Sequence, residues 1–369
     1  QACVGDDFNP NSDAQVRDLL FKQCGFSPVM FTKSRQPSVD FDSLIQISEL
    51  ATDDLEPLFT LLIEQRRLSK LLSTYLKEFI LDSNGRLHTQ YTLHVTPTGR
   101  LSSRRPNLQN IPDGLAKDLF VSAPGFVFKE RDYSQIELRI LAEITQDETW
   151  LRAFAAGEDV HEYTTADLFS VKRENVEKWQ RDFAKTFTYG AILYGGKAKT
   201  VRRQALNRAL RARRKTGSVV VIPPVGEIEK CQTEFFKKHP GIFAYQEGIR
   251  QEIARNGSVR SDSGRLRIFL IRSDSAQRAG YNFPIQEFAS HVIRRAMVRL
   301  HTALEEPNGM NLQVHDSLLS ELEEGKAEEL DAEVIKPIME DPIMIRGRMV
   351  TFPTDAKGGY SWGSLKKVA

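Results

Sequence analysis

The chain has 369 residues, of which 40% are hydrophobic and 27% are charged, and its formal net charge at pH 7 is +2. This length is enough for two or three subdomains with a sizeable apolar core, and the composition is typical of a globular protein. No apolar run approaches membrane-spanning length, which argues against a membrane protein. The three cysteines, Cys3, Cys24 and Cys231, are widely spaced. That spacing argues against a disulfide framework or a zinc site and fits a reducing compartment.

The N-terminal part is predicted to be mainly helical. Cap and stop residues predict a helix over 14–23 and a second short helix over 40–51. Apolar residues at three- and four-residue spacing then predict a long amphipathic helix from Leu58 to Phe79, which we interpret as scaffold. The sequence Asp-Ser-Asn-Gly at 82–85 predicts a tight turn before the alternating segment 87–93.

The next segment, 96–112, is rich in Arg, Ser, Asn and Gln and is interrupted by Pro and Gly. This composition predicts an ordered loop that lines a surface. Its Arg, Asn and Gln side chains are of the kind that donates hydrogen bonds to phosphates and to base acceptors in the minor groove of DNA.

Two polar stretches far apart in the chain each follow an apolar, strand-like run. Asp132 comes after the run 126–128 and before a predicted helix that includes 140–142. Asp316 lies in a polar trio, 315–317, that interrupts an apolar run as the turn of a hairpin does. Carboxylates held at strand ends suit hard cations such as Mg²⁺, which prefers oxygen ligands. Taken alone, an Asp near a turn is more often a turn or cap residue.

A predicted helix between these stretches has two cations and an aromatic ring on one face. Arg181, Lys185 and Tyr189 recur at four-residue spacing. This order matches a triphosphate followed by a sugar and a base, with Arg181 at the outer phosphates. Lys185 then lies nearer the reacting phosphorus, where negative charge accumulates. The alternative is a surface helix with two basic residues.

A basic segment follows this helix. No acidic residue occurs between Phe183 and Gly226, and basic residues are concentrated between Lys197 and Lys215. Such a segment is typical of a protein with a polyanionic partner. The alternative is a solvated helix face, which normally pairs its charges with opposite ones nearby, and the local sequence offers none. Two roles stay open for 197–225: contact with the phosphates of template or duplex DNA, or a flexible loop.

Three segments together resemble the signature motifs of family A DNA polymerases, the group of bacterial DNA polymerase I. They are Thr98–Pro112, Asp132–Arg139 and Gln313–Asp316. They occur in the family's order, whereas any one alone would be weak evidence. Further segments similar to the family's pattern are Asp159–His161, Arg181–Gly190, Arg278–Gln286 and the closing Gly359–Trp362. Asp159–His161 is expected to precede a helix, and Arg278–Gln286 is expected to open one that runs through Met297.

The resemblance implies an α+β right-hand fold with a helical thumb, an antiparallel-sheet palm and helical fingers. The expected division is a thumb with the start of the palm in 1–94, and a palm with the primer-binding loop and first catalytic motif in 95–150. Fingers with the basic insertion are expected in 151–255, and the rest of the palm, with the second motif, in 256–369. The chain is expected to begin inside the thumb, as a piece of a longer polypeptide, without an exonuclease site.

The implied activity is template-directed addition of deoxynucleotides to a primer 3′-OH. Its partners are primer–template DNA and deoxynucleoside triphosphates, and its cofactors are two Mg²⁺ ions, for which Mn²⁺ can substitute. The expected catalytic residues are Asp132, Asp316 and Lys185, and the expected metal ligands are Asp132, Asp316 and Tyr133, the last through its carbonyl. Expected nucleotide contacts are Arg181, His161, Tyr189, Glu137, Gln135 and Tyr133. Expected nucleic-acid contacts are Arg100, Asn107, Gln109, Arg278, Asn282, Gln286, His315 and Tyr194.

We also expect a monomer without membrane association. Its expected location is the cytoplasm of a bacterium or of a phage-infected host, or an organelle.

Three positions depart from the family pattern. Ser317 stands where the family usually has Glu, as in single-subunit RNA polymerases, whereas Glu137 is of the DNA-polymerase type and would exclude a ribose 2′-OH. Tyr189 stands where bacterial members usually have Phe, which predicts ready use of dideoxynucleotides. Tyr194 comes five residues after Tyr189 instead of four, a rotation of about 100° on an α-helix. Either the helix contains a π-bulge or the template-stacking role of Tyr194 is altered.

Two other classes of protein stay open. One is a polymerase with a different template or product, such as a reverse transcriptase or an RNA polymerase. The other is an inactive nucleic-acid-binding module, against which the retention of both aspartates, Arg181 and Lys185 argues.

Overall fold

The computed structural model describes residues 7–217 and 220–368; Cys3 and residues 218 and 219 of the basic segment lie outside them. The α-helices are α1 (Asp13–Arg17), α2 (Phe41–Ser48), α3 (Glu56–Lys70), α4 (Leu115–Asp118), α5 (Ile136–Thr145), α6 (Glu148–Ala155), α7 (Val160–Phe169), α8 (Lys178–Phe187), α9 (Ala198–Thr216), α10 (Val225–Lys238), α11 (Pro240–Asn256), α12 (Asp274–Ala303), α13 (Ala327–Leu330) and α14 (Lys336–Met339). The strands are β1 (Gln90–Thr92), β2 (Ser102–Arg104), β3 (Phe126–Tyr133), β4 (Ser258–Arg260), β5 (Leu266–Ile268), β6 (Gly309–Val314), β7 (Ser317–Glu323), β8 (Ile343–Ile345), β9 (Arg348–Val350), β10 (Thr354–Gly359) and β11 (Lys366–Lys367). Short π-helices cover Asp18–Gln23, Leu71–Tyr75, Thr188–Leu193 and Asp331–Ile335. Within the described residues, no helix is both long enough and apolar enough to span a membrane.

A five-stranded antiparallel sheet with the order β11-β10-β3-β7-β6 positions the site. In its middle strand, β3, Asp132 lies opposite Ser317 of β7 and opposite Asp355 of β10. Residues directly opposite each other share one face of a sheet. The other face presents Tyr133 and Leu318 to the main hydrophobic core, which also contains residues of α5 and α12.

The hairpin predicted around residue 316 is confirmed. His315 and Asp316 form a two-residue turn between β6 and β7, and Ser317 already belongs to β7. His315 has a left-handed φ of 54°. The turn lies beside the end of β3, where the carbonyl of Asp316 accepts a hydrogen bond from the backbone N–H of Tyr133 at 3.1 Å. The two aspartates therefore lie at adjacent strand ends, although they are far apart in the chain.

The long N-terminal helix differs from its prediction. It is α-helical only to Lys70 and continues as a π-helix. Its buried side chains include Phe59 and Leu62, whereas Leu61 and Leu72 of the predicted apolar stripe are 70% and 51% exposed. Apolar residues occur around more than one side of this helix, so their spacing alone did not specify the buried face.

Three other element predictions need correction. The predicted surface loop 96–112 contains a strand, β2, paired with β1, and a short 3₁₀-helix. The family-like segment beginning at Arg278 does not open a helix, because α12 already begins at Asp274 after a Ser273 cap. His161 does not precede its helix but lies in the first turn of α7.

Residues 198–216 of the basic segment form the regular helix α9, whereas the described residues between this helix and α10 have no regular structure. Arg211 donates to Asp42 at 2.8 Å, and Arg213 pairs with Glu49 at 2.5 Å. Leu210, only 4% exposed, belongs to the hydrophobic core of the N-terminal helices. The local sequence offers these charges no acidic partners, as noted above, and the partners that the structure shows come from a distant part of the chain.

Candidate active site

One cleft brings together the end of the sheet and the helices beside it. Its volume is about 410 Å³, and its lining consists of Arg100, Asp132, Tyr133, Gln135, Ile136, Glu137, His161, Arg181, Lys185, Tyr189, Tyr194, His315 and Asp316. All of these except Ile136 are site residues predicted from the sequence. A second cavity, of about 380 Å³ between α8 and α9, contains none of the predicted site residues.

The turn from β3 into α5 places several of these side chains. Gln135 adopts a left-handed φ of 52°, which lets the chain reverse direction directly after Tyr133. Helix α5 then begins at Ile136, with Glu137 in its first turn. Asp132 and Glu137 thus reach the same cleft from a strand end and a helix start.

The two aspartates form an electrostatically unfavourable pair. Among the described residues, no hydrogen bond or ion pair involves the carboxylate of Asp132. Its partial desolvation and the charges of Asp316, Glu130 and Asp355 raise the pKa of Asp132 to about 6. Asp316 accepts a hydrogen bond from Arg100 Nη2 at 3.2 Å. A cation bound between the two carboxylates would relieve this repulsion.

The donor chemistry of this pair fits a hard divalent cation. Both side chains offer oxygen, and Mg²⁺ commonly takes one or two carboxylates and completes its shell with water and substrate phosphates. Across the described parts of the chain, no three His, Cys, Asp or Glu side chains converge on a metal position. The site therefore fits ions held by two carboxylates and not a closed structural metal centre.

Arg100 links the two acidic sides of the cleft, an arrangement that the sequence analysis missed. Its Nη2 lies 2.5 Å from Oε1 of Glu137 as well as near Asp316. Burial raises the pKa of the Glu137 carboxyl, and the neighbouring Arg100 charge opposes that increase. No local pattern in the sequence indicates this pairing, because it joins residues from three separate segments.

The opposite side of the cleft is rich in hydrogen-bond donors. Asp159, the N-cap of α7, accepts a hydrogen bond from Arg181 Nε at 3.1 Å. His161 is only 2% exposed, and neither ring nitrogen has a partner in the described structure. Its burial lowers the pKa of His161 to about 4. Desolvation and the charges of Arg208 and Arg181 also lower the pKa of Lys185. The region is therefore favourable for an anion.

The spacing between Tyr189 and Tyr194 is explained by a π-helix over Thr188–Leu193. The backbone N–H of Tyr194 donates to the carbonyl of Tyr189 at 3.1 Å, a five-residue separation. Both rings line the cleft, and Gln286 donates to the Tyr194 hydroxyl at 3.3 Å. Of the two alternatives left open by the sequence, the π-bulge is present.

Five predicted nucleic-acid contacts do not line this cleft: Asn107, Gln109, Arg278, Asn282 and Gln286. Asn107 caps a 3₁₀-helix, and the amide of Gln109 donates to Gln313 Oε1 at 2.8 Å. Asn282 is buried with no partner for Oδ1 within the described residues. Arg278 lies beside Gly195.

Sequence reasoning also missed charged residues that lie near Asp132 or pair with Arg181. These are Asp159, Glu130, Asp355 and Lys357. Glu130 precedes Asp132 by two residues in β3. Asp355 and Lys357 become neighbours of Asp132 only through the pairing of β3 with β10, and a single sequence does not specify which strands pair.

A cleft with paired carboxylates on an antiparallel sheet, facing a helix with donors for an anion, defines the class of right-hand polymerases that transfer nucleotidyl groups. The chain belongs to DNA polymerase family A, whose sequence profile matches residues 1–364. Family membership implies a metal-dependent enzyme. The predicted fold class, with helical thumb and fingers and an antiparallel-sheet palm, is confirmed.

The chain is similar to bacterial relatives over nearly its whole length. It is 35% identical over 356 residues to DNA polymerase I of Pseudomonas aeruginosa, covering 91% of this chain and 36% of that protein. It is 33% identical over 381 residues to the thermostable DNA polymerase I of Thermus thermophilus, covering 99% of this chain and 43% of that one. The chain thus spans well under half the length of these relatives.

A solved structure is also similar. It is the POL domain of Pol1 from M. smegmatis in complex with DNA primer–template and dNTP. The match has a TM-score of 0.83 at 28% identity and covers 98% of this chain and 63% of that chain.

Proposed function

We propose that this chain is a DNA polymerase domain that adds deoxynucleotides to a primer 3′-OH under the direction of a template. The observation that supports this most directly is the convergence of Asp132, Asp316, Arg181 and Lys185 in one cleft. The names of its relatives and the primer–template and dNTP bound by its structural neighbour support the same activity. The proposal includes a monomer and, from the bacterial relatives, a cytoplasmic location.

The subdomain limits given above belong to the proposal as well. A thumb in 1–94, a palm in 95–150 and 256–369, and fingers in 151–255 fit the central sheet, whose strands come from the two palm segments.

In this proposal Asp132, Asp316 and the Tyr133 carbonyl hold two Mg²⁺ ions, for which Mn²⁺ can substitute. Such ions lower the pKa of an attacking hydroxyl and stabilise a leaving phosphate. The chain's own residues bind and orient the triphosphate. Arg181 and Lys185 neutralise its charge, and Lys185 acts where charge increases during transfer.

His161 binds the triphosphate as a neutral hydrogen-bond donor. Its pKa of about 4 means that the ring is uncharged near pH 7. A neutral ring offers one N–H to a phosphate oxygen without adding to the positive charge of Arg181 and Lys185. The next group along the cleft, Tyr189, faces the sugar together with Glu137 and Gln135.

The remaining residues position the nucleic acid. Arg100, Gln286 and His315 hold the primer end, Asn282 faces the template, and Tyr194 stacks on a template base. Arg278, Asn107 and Gln109 contact the duplex from outside the cleft. Closing of the fingers selects the correct base pair before the chemical step.

The test is primer extension with Mg²⁺ on DNA and RNA templates, using deoxynucleotides and ribonucleotides separately. We expect extension on DNA with a strong preference for deoxynucleotides. Asp132→Ala should abolish extension while primer–template binding is largely retained. Asp355→Ala, which removes the exposed carboxylate opposite Asp132, should retain extension.

The alternatives give different outcomes. Ser317 favours an RNA-polymerase-like product, and comparable extension with ribonucleotides would establish it in place of the proposal. Equal extension on an RNA template would indicate a reverse transcriptase. DNA binding without any extension would identify an inactive binding module.

A further inference from the structure

The strand position beside Asp132 is occupied by a neutral residue where the family usually has an acid. Ser317 lies directly opposite Asp132 on the same face of the sheet, so its side chain is close to the two aspartates. A serine there leaves the cation site with two carboxylates, and Arg100 partly neutralises one of them. The site as proposed therefore has little negative charge for two divalent ions.

A third carboxylate, that of Glu130, lies near Ser317 and on the same strand as Asp132. Glu130 precedes Asp132 by two residues in β3, so both side chains lie on one face, roughly 6.6 Å apart along the strand. The Ser317 hydroxyl lies 3.3 Å from Glu130 Oε1, within hydrogen-bond distance, and 3.0 Å from the carbonyl oxygen of Val314, which is its other acceptor. Glu130 Oε2 also lies 3.4 Å from the ammonium of Lys357, the residue opposite it in β10.

The burial of Glu130 makes its charge effective at this distance. Its side chain is only 12% exposed, so solvent screens it less than a surface carboxylate. It does not line the cleft, and it belongs to no converging group of metal ligands in the described residues. Its influence on a cation would therefore be electrostatic and would not involve coordination.

We infer that Glu130, oriented by Ser317 and Lys357, supplies from β3 the negative charge that position 317 lacks, and so strengthens cation binding by Asp132 and Asp316. Glu130 is a positioning residue and not a ligand. The inference rests on the proposed metal site and adds a residue that the sequence motifs do not contain. Serine at 317 suits this arrangement, because its hydroxyl lies within hydrogen-bond distance of Glu130.

The experiment measures Mn²⁺ binding to the whole chain by electron paramagnetic resonance, without DNA or nucleotide. Glu130→Gln keeps an oxygen that can accept from Ser317 and removes only the charge. We expect Mn²⁺ to bind on the order of tenfold more weakly, as for a partly screened unit charge at this separation. Asp132→Asn serves as the reference in which the site is lost.

Two further variants exclude a general structural effect. Lys357→Met removes the cation that offsets Glu130, and we expect tighter Mn²⁺ binding, by about threefold. A misfolded site would not bind more tightly. The double variant Glu130→Gln with Ser317→Glu moves the negative charge from β3 to β7. It should restore the Mn²⁺ affinity to within about threefold of that of the original chain.

The matched control is Glu321→Gln. Glu321 is another largely buried carboxylate on this face of the sheet, opposite Phe128, and it pairs with Arg86 away from the cleft. Its loss should leave Mn²⁺ affinity unchanged.

The inference is overturned if Glu130→Gln binds Mn²⁺ as the original chain does while Asp132→Asn does not bind it, or if the Ser317→Glu rescue fails. Neither result affects the proposed polymerase activity, which primer extension by the original chain tests independently. If Asp132→Asn leaves Mn²⁺ affinity unchanged, the metal site itself is wrong and the inference falls with it.

Discussion

Two side chains in the cleft show how burial defines chemistry at the scale of single residues. His161 and Tyr189 lie together, with ring centroids 5.8 Å apart. Burial raises the pKa of the Tyr189 hydroxyl, so the group stays protonated and remains a donor at any working pH. Burial acts on His161 in the opposite sense and keeps its ring neutral. Both residues thus enter the cleft as uncharged hydrogen-bonding groups.

Tyr189→Phe should reduce the use of dideoxynucleotides. In the proposed function, the protonated phenol would replace a contact that a 3′-deoxy sugar cannot make. One such hydrogen bond contributes about 1 kcal/mol, so we expect dideoxynucleotide incorporation relative to deoxynucleotide incorporation to fall by about fivefold. Single-nucleotide insertion gives both kcat/KM values. Tyr194→Phe, which removes a hydroxyl bound to Gln286, should leave the ratio unchanged; a fall of equal size there would contradict this role for Tyr189.

His161 should make the folded state sensitive to mild acid. Its pKa is about 4 in the folded chain and about 6.5 when free, so between these values the unfolded chain binds more protons. Stability is therefore fully present above pH 6.5 and decreases as the pH falls towards 4, by up to roughly 3 kcal/mol from this residue.

The His161→Gln variant tests this assignment. We expect the variant to lose less free energy of unfolding between pH 7 and pH 5 than the original chain, as measured by urea denaturation at each pH. An identical pH dependence in both proteins would show that His161 is protonated in the folded state as easily as in the unfolded one.

At the scale of elements, the π-helix over Thr188–Leu193 accommodates one extra residue. The family pattern has its second aromatic four residues after the first, and here Tyr194 follows Tyr189 by five. The wider turn absorbs the additional residue, so both rings still line the cleft. Deleting Ala191 should therefore convert the segment into an α-helix with Tyr194 in nearly the same place.

The Ala191 deletion is expected to retain primer extension within a few-fold and to leave the thermal unfolding temperature no lower. Deletion of Ala209 in α9 provides the comparison, because that helix has regular α geometry. One missing residue there rotates the following Leu210 by about 100° out of its core, and stability should fall. Loss of extension in the Ala191 variant would mean that the π-helix itself is required.

The sequence predicted the secondary-structure elements better than the contacts between them. Strand ends, the hairpin turn and the face of α8 followed from local spacing, and the cleft contains every residue predicted to contact the nucleotide. The pairings of Arg100 with Glu137 and of Glu130 with Ser317 did not follow, because they depend on which strands and loops become adjacent. The acidic partners of α9 could not be predicted for the same reason, since they lie in the N-terminal helices.

At the scale of the whole molecule, α9 joins the N-terminal helices to the segment that contains α8. The ion pair between Arg211 and Asp42 is partly exposed, with Arg211 53% accessible, so it contributes at most about 1 kcal/mol. Leu210 is buried and belongs to the same apolar core as Leu44 and Phe59 of the N-terminal helices. Apolar packing and not charge is therefore the main stabilising term of this contact.

Leu210→Ala should consequently destabilise a region far from the substitution in sequence. Loss of a buried leucine costs about 2–4 kcal/mol, and the cavity would open in the core shared with α2. Hydrogen exchange followed by mass spectrometry should show faster exchange over Phe41–Ser48 as well as in α9. Arg211→Ala, one position along the same helix, should change exchange in α2 only slightly. If acceleration in the Leu210 variant were confined to α9, the N-terminal helices would be stable by themselves, and the shared core would not couple them to α9.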